Sequence, residues 1–313
     1  MTIKFWGVRG SLPCPITPSQ YKDKLSSVIQ RIQPKDIESP MARERFLANL
    51  PEDLFGMIGG NTTCFEVRNG DNDLIIVDGG TGIRELGLNL KYPKETGISI
   101  HIFFTHFHWD HLQGLPFFLP FFNPKNTINF YSPCKGFENY IRGQMEAPYF
   151  PVPLSIFPAQ VNFIELDGKP LKFGDLKVSY KEVNHPGGCY SYKFLEGGKS
   201  VIFSTDTELK TSDFIRTESN MEYFDNADAI ILDAQYTLGE AVEKINWGHT
   251  SYSLAVDFAL EYKIRRLYLI HHEPNYSDHK IEEIGRLADW YSEHHINKDL
   301  EILIAKEEME AVY

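Results

Sequence analysis

Cysteine is scarce in this 313-residue chain, and the four present (Cys14, Cys64, Cys134 and Cys189) are scattered with no C-x-x-C pair. That spacing argues against a disulfide framework and against a thiolate metal knuckle, and it suits a reducing compartment. Long apolar runs are missing too: charge or proline breaks each one well short of the ~18 residues that a membrane-spanning helix needs. The opening Met-Thr-Ile-Lys-Phe-Trp-Gly lacks the charged-then-apolar pattern of a leader. The expected setting is the cytoplasm, with no membrane partner. Positive charge is in deficit, 31 Lys and Arg against 43 Asp and Glu, for a net charge of −12. With no Lys/Arg run to grip a long polyanion, extended nucleic acid is not an expected partner. A small anion stays compatible, because bound cations supply positive charge locally. There is also no internal repeat, low-complexity tract or Gly/Ser linker, so residues 1–313 are expected to form one domain.

What the chain does have is enough apolar residue, 42% with 13% aromatic, to bury a sizeable core. Strand-like segments are predicted at 3–8, 63–68, 73–78, 99–105, 127–131, 176–183, 189–194, 200–204, 228–233, 266–270 and 300–304. Helices are predicted at 136–146, 251–263 and 278–295. In 251–263, Leu254, Phe258 and Ala259 share a face that Ala255 and Tyr262 extend, and Ser251 or Thr250 can cap its start. Residues 14–58 interrupt the strand pattern with a mixed-charge stretch, helical in rhythm over Lys22–Ile32 and Met41–Leu50. They read as an insertion serving as a lid, a dimer contact or a peripheral elaboration. A second irregular stretch, 144–160, is rich in Pro and aromatics and reads as having no regular element.

The chemistry concentrates in Thr105-His106-Phe107-His108-Trp109-Asp110-His111, four candidate ligands within six residues at the end of an apolar strand. Imidazole with carboxylate suits Zn, Mn, Fe or Ni. In extended backbone His106 and His108 point the same way and can share one ion, while a following turn sends Asp110 and His111 to a second. Further candidates stand where other strands end: His185 after 176–183, Asp206 in Ser204-Thr205-Asp206-Thr207, and His271 after 266–270. Ligands gathered at strand ends suit a rigid α/β scaffold with its site at one sheet edge. Asp78, in Asp78-Gly79-Gly80-Thr81-Gly82, lacks phosphate-loop spacing and reads as a carboxylate orienting a ligand imidazole, with Asn61 and Thr62 in similar support. His272 competes with His271 for the late ligand position. His101, His279, His294 and His295 have no partners in sequence and read as surface or structural residues.

This combination resembles the metallo-β-lactamase-fold hydrolases, and within them the branch of tRNase Z and small cyclic-nucleotide phosphodiesterases. The resemblance runs from Phe5-Trp6-Gly7-Val8-Arg9-Gly10-Ser11, through Gly59-Gly60-Asn61-Thr62 and the Asp78 turn, to His271-His272-Glu273-Pro274, and leaves out 14–58. It implies an α/β fold, a four-layer αββα sandwich with two divalent metal ions (Zn or Mn, with Fe as an alternative) at one edge of the facing sheets. By motif, His106, His108 and His185 would hold one ion and Asp110, His111 and His271 the other, with Asp206 bridging. In the phosphodiesterase branch the residue matching His249 protonates the leaving oxygen, steadied by a carboxylate for which Asp233 is the counterpart. The chain departs from the tRNase Z pattern here, carrying Leu232-Asp233 where that branch commonly has His-Glu, which weakens the proton-donor assignment relative to the ligands.

The leading functional expectation is hydrolysis of a small anionic phosphodiester, a cyclic or short nucleotide, by attack of metal-activated hydroxide with His249 as general acid. Trp109, Tyr149, Phe150, Trp247 and Tyr252 are candidates either for stacking on a base or for packing. The alternatives are tRNA 3′-end processing, which the acidic balance disfavours, and acyl chemistry on a thioester or lactone. An iron-based redox or sensing module is disfavoured by the lack of a fused flavin or iron–sulfur segment. A homodimer is a further expectation carried by the resemblance.

Overall fold

The computed structural model describes residues 1–71, 73–294 and 299–313. Its strands, in chain order, are β1 (Thr2–Gly7), β2 (Cys64–Arg68), β3 (Leu74–Val77), β4 (Ser99–Phe103), β5 (Thr127–Ser132), β6 (Gln160–Glu165) and β7 (Leu171–Phe173), followed by β8 (Leu176–Val183), β9 (Cys189–Glu196), β10 (Lys199–Ser204), β11 (Ala229–Asp233), β12 (Arg266–Ile270), β13 (Glu301–Ile304) and β14 (Glu310–Val312). The helices are α1 (Pro18–Arg31), α2 (Pro40–Ala48), α3 (Glu52–Phe55), α4 (Gly82–Asn89), α5 (Phe137–Gln144), α6 (Glu218–Phe224), α7 (Leu238–Glu243), α8 (Tyr252–Glu261) and α9 (Asp278–Glu293).

Two seven-stranded sheets form, in the orders β14-β1-β2-β3-β4-β5-β6 and β13-β12-β11-β10-β9-β8-β7. Both are mixed in the same way. In the first, β14, β1, β2 and β3 pair antiparallel and β3 to β6 parallel. In the second, β7 to β10 pair antiparallel and β10 to β13 parallel. The chain thus lays down one strand pattern twice, although its sequence shows no repeat.

The strands alternate between two cores because a pleated strand turns successive side chains to opposite faces. From β3, Ile75 and Val77 enter the layer between the sheets, while Leu74 and Ile76 enter the outer layer covered by Ile83 and Leu86 of α4 and Phe137 and Ile141 of α5. Between the sheets Phe65 stacks on Phe203 at 4.8 Å and Phe103 meets Tyr192 edge-on at 5.3 Å. On the far side Ala255, Val256, Phe258 and Ala259 of α8 and Ile281, Ile284 and Ala288 of α9 seal the second sheet. This is the α/β, four-layer αββα arrangement expected, with both faces of each sheet buried.

The α8 face forms as predicted except that Leu254 is only half-buried, and its cap is Ser251, whose hydroxyl accepts from the Leu254 N–H. The 14–58 stretch folds as α1, α2 and α3, with Thr17 and Ser39 capping the first two. Three strands (β6, β7 and β14) and four helices (α3, α4, α6 and α7) go beyond the sequence expectation. The strand expected over 99–105 stops at Phe103, and the last residue of the helix expected over 278–295 lies outside the described residues, as does His295. Within 144–160 there is one short turn at Leu154–Ile156 before β6 starts. No helix among the described residues is long and apolar enough to cross a membrane.

Candidate metal centre

The parallel strands of both sheets aim their C-terminal ends at one edge, and the polar residues predicted from the sequence follow those ends directly. Asp78 follows β3, the Thr105–His111 run follows β4, Asp206 follows β10 and His271 follows β12. Asp78, Asp206 and His271 each take a left-handed backbone, with φ of 64°, 52° and 64°. Non-glycine residues pay for that conformation, and here it turns the side chain out of the strand direction toward the shared edge. Hydrogen bonds close the edge: Tyr190 N–H donates to Thr105 O at 3.0 Å, the Tyr192 hydroxyl to Phe104 O at 2.7 Å, and Gly10 N–H to His272 O at 3.1 Å. A Cβ on Gly10 would stand 2.4 Å from His271 Nδ1, so only glycine lets the β1 loop pass so close.

Besides an overlapping group of Asp206, Asp233, His249 and His271, two ligand groups result, His106 with His108 and His185, and Asp110 with His111, Asp206 and His271. Asp206 lies between them. Its Oδ1 is 3.8 Å from Nε2 of both His106 and His185, while its Oδ2 is 3.1 Å from His111 Nε2 and 3.2 Å from His271 Nε2. Asp110 Oδ2 faces the same two imidazoles at 3.3 and 3.2 Å. The second group is fully buried, whereas the first opens to solvent at His108.

Three of the far ring nitrogens are already committed. His111 Nδ1 donates to Asp78 Oδ2 at 2.7 Å, His185 Nδ1 donates to Gly248 O at 2.9 Å, and His106 Nδ1 pairs with the Thr105 hydroxyl at 3.1 Å. That hydroxyl itself donates to Asp78 Oδ2 at 2.8 Å. Each bond puts the proton on Nδ1 and turns the Nε2 lone pair inward. His106 Nε2 and His111 Nε2 are buried there without a hydrogen-bond partner. Orphaned buried acceptors are costly unless something else meets them, and His185 Nε2 stands 3.1 Å from His108 Nδ1. Two imidazoles on a tetrahedral ion with bonds of about 2.0–2.1 Å would show nearly that span. The residues present fit divalent cations.

The electrostatics agree. Burial holds His106, His108 and His185 below the ordinary imidazole value, keeping lone pairs free. Burial would raise Asp110 and Asp206, but the surrounding imidazoles, foremost His111 for Asp110 and His271 for Asp206, hold both well below the usual carboxylate range. Burial likewise opposes a charge on His111, and Asp206, Asp110 and Asp78 outweigh it and lift that imidazole well above its ordinary value. A cation entering this negative field displaces that proton.

Beside the two groups stands His249, mostly buried. Its Nδ1 donates to Asp233 Oδ2 at 2.8 Å, and its ring stacks on His271 at 4.9 Å. Asp233 is fully buried, and its other bonds come from the N–H groups of Asp206, Gln235 and Thr250 at 3.0–3.2 Å. Burial would lower His249, yet Asp233 in the lead raises it to about 9.

The structure brings all nine sequence-predicted residues (His106, His108, Asp110, His111, His185, Asp206, Asp233, His249 and His271) into this edge, and brings Asp78 to His111 as expected. His272 turns away instead: its Nε2 meets Ala305 O at 2.9 Å, and burial pushes it down to about 3. Asn61 departs from its expected supporting role, because Glu307 takes both its backbone and side-chain N–H. Thr62 acts one step removed, its hydroxyl accepting from Thr81 N–H at 2.9 Å to hold the turn after Asp78. Of the aromatics, Trp109, Tyr149 and Trp247 are exposed, while Phe150 meets Phe117 and Tyr252 packs on the core. Sequence reasoning missed the Ser11 N–H, which donates to Asp110 Oδ2 at 2.8 Å, and the Gly248 carbonyl. Both are backbone groups, whose roles no side chain advertises.

Comparison with known proteins gives this geometry a family. Residues 74–272, well over half of the chain, match the family model described as beta-lactamase superfamily domain. Ribonuclease Z from Streptococcus pneumoniae (strain CGSP14) is 26% identical over 284 residues, covering 74% of this chain and 89% of that protein. The metallo-beta-lactamase fold protein YhfI from Bacillus subtilis superposes with a TM-score of 0.65 at 16% identity, over 99% of this chain and 98% of that one. A diphosphatase from the PhnP family gives 0.63 at 17% identity, over 100% and 97%. The chain belongs to the beta-lactamase superfamily and is a hydrolase of the metallo-β-lactamase fold, a fold that implies divalent metal ions.

Proposed function

We propose that this hydrolase is a two-metal phosphodiesterase acting on a small cyclic or short nucleotide. The observation that carries the reading is the position of Asp206, one oxygen toward each imidazole group, with the His249–Asp233 pair alongside. His106, His108 and His185 would hold one cation, Asp110, His111 and His271 the other, and Asp206 would serve both. Zinc suits the imidazole-rich group, and the carboxylates of the second admit manganese or iron. When bound, such cations neutralise the phosphodiester anion and supply a water nucleophile at neutral pH. The remaining work falls to the chain's own groups. Asp78 and the Gly248 carbonyl orient His111 and His185. Asp233 accepts a hydrogen bond from His249 Nδ1–H, leaving Nε2 to hold the proton that the departing alkoxide oxygen needs. The compartment proposed is the cytoplasm.

Two similar proteins, a ribonuclease and a diphosphatase, act by name at phosphorus, which supports a phosphorus over a carbonyl electrophile. A second reading, tRNA 3′-end processing, is favoured by the likeness to ribonuclease Z across 89% of that protein. The net charge of −12 ranks it below the small-substrate reading. The test is chromatographic product analysis after incubating zinc- or manganese-loaded protein with 3′,5′- and 2′,3′-cyclic nucleotides and a precursor tRNA. Cyclic-nucleotide cleavage lost in Asp110→Ala is the expected result. Cleavage of the precursor tRNA alone reverses the ranking, and cleavage of none redirects the site to thioester or lactone substrates.

A further inference from the structure

Glu208 has no role in the chemistry above, yet it sits where three site loops cross. It lies two residues beyond Asp206, and its backbone is pinned to the residue before His185: Glu208 N–H donates to Asn184 O at 2.9 Å, and Asn184 Nδ2 donates to Glu208 O at 3.1 Å. Its carboxylate reaches the third loop, Oε1 accepting from Asn246 N–H at 3.0 Å and Oε2 from Gly248 N–H at 2.8 Å. The Gly248 carbonyl then accepts a hydrogen bond from His185 Nδ1–H, and the next residue is His249.

The gripped turn is a strained one. Asn246 and Gly248 both have left-handed backbone, φ 68° and 90°, and a Cβ on Gly248 would lie 2.1 Å from His185 Nδ1. Such a turn persists when its surroundings over-determine it. A carboxylate meeting two N–H groups does so with charge-assisted bonds, stronger than neutral ones.

We propose that Glu208 is a positioning residue that sets His249 against His185 by holding the 246–248 turn, an inference that rests on the phosphodiesterase reading. Glutamine at this site keeps the shape but offers one acceptor oxygen to two N–H groups and turns an NH₂ toward the other. The backbone clamp to Asn184 survives any side-chain change, so the loss is confined to the turn.

The test compares wild type, Glu208→Gln and Glu208→Asp as full-length zinc-loaded protein, with thermal midpoints showing that each is folded. Two diesters are used: bis(4-nitrophenyl) phosphate, whose leaving group departs without a proton, and a cyclic nucleotide, whose alkoxide needs one. Glu208→Gln is expected to lose about 10–100-fold in kcat on the cyclic nucleotide and only a few-fold on the nitrophenyl ester, with KM little changed. Glu208→Asp, which keeps both acceptor oxygens, should lose less. Zinc calorimetry should show one of two sites weakened about tenfold or more in Glu208→Gln, because the support of His185 has been cut. Equal losses on both diesters, or wild-type kinetics and zinc affinity in Glu208→Gln, overturn the proposal. Wild type cleaving neither diester would sink the phosphodiesterase reading alone. Calorimetry then decides the positioning role, unchanged zinc affinity ending it.

Discussion

At the scale of single residues, His271 and His272 show how neighbours with identical side chains diverge. The left-handed φ of 64° at His271 swings its imidazole to the shared edge, and a parallel bridge to Arg9 carries His272 to Ala305 instead. Sequence spacing could not separate the two, because the difference lies in one backbone dihedral. The predicted roles differ just as sharply in what a substitution should do. His249→Ala is expected to cut kcat on an alkoxide-leaving diester by about 10²–10⁴-fold while zinc content stays at wild-type level, measured by steady-state kinetics with metal analysis on the same sample. Loss of metal along with turnover would make His249 a ligand support, and the general-acid reading would fall. Asp78→Asn addresses the opposite case. It removes the carboxylate that holds His111 Nδ1 at 2.7 Å and replaces it with a group that can turn an NH₂ toward that nitrogen. Zinc affinity should weaken by about 10–100-fold with no change in the leaving-group dependence. An unchanged calorimetric titration would contradict it.

At the scale of elements, legibility followed burial. Strands buried on both faces, such as Leu74–Val77 and Ala229–Asp233, read as apolar runs in the sequence. The short edge strands β7 and β14 pair on one side only, and Leu-Lys-Phe and Glu-Ala-Val carry no comparable signal. The helix α4 was hidden because Gly82 and Gly87 leave only Ile83 and Leu86 as large buried residues. The ligand strands were legible because apolar runs stop abruptly at polar residues. One element-level device has a pH signature. His101 on β4 sits where β4, β5 and β7 meet, its Nδ1 2.9 Å from the Tyr131 hydroxyl and its ring edge-on to Phe173 at 4.5 Å. Burial holds it below the ordinary imidazole value, with Asp73 opposing. The folded state therefore binds this proton less readily than the unfolded chain, so stability is lost as pH falls through the unfolded value near 6.5. His101→Gln should flatten the decline in thermal midpoint between neutral pH and pH 5, measured in EDTA for wild type and variant alike, so that metal release does not contribute and the ligand imidazoles titrate equally in both. Parallel wild-type and variant curves would refute that origin.

At the scale of the whole molecule, the doubled strand pattern explains why one edge collects the candidate ligands other than His185, which reaches it from the end of β8: both sheets end their parallel halves on the same side, and the loops there are free to carry chemistry. The 14–58 stretch lies outside that logic. No residue of α1 is buried. Lys24 ties it both to the end of the same stretch and to α9, its Nζ donating to Gly56 O at 2.8 Å and to Asp278 Oδ2 at 2.7 Å. Tyr21, Leu25 and Ile29, spaced four residues apart on one helical face, are 57%, 45% and 66% exposed, with Met41, Phe55 and Met57 exposed on the segments that follow. Water-facing stripes of this kind mark surfaces that a partner covers. The proposed cover is a second copy of the chain, in keeping with the expected homodimer. Sedimentation velocity on wild type and on the Leu25→Lys/Ile29→Lys double variant tests this directly. Wild type should sediment as a dimer and the variant as a monomer. Because none of the three side chains is buried, the variant measured at low concentration should stay close to the wild-type thermal midpoint. A wild-type monomer at the highest workable concentration would remove the dimer, and a variant that unfolds would show instead that the stripe packs within the chain.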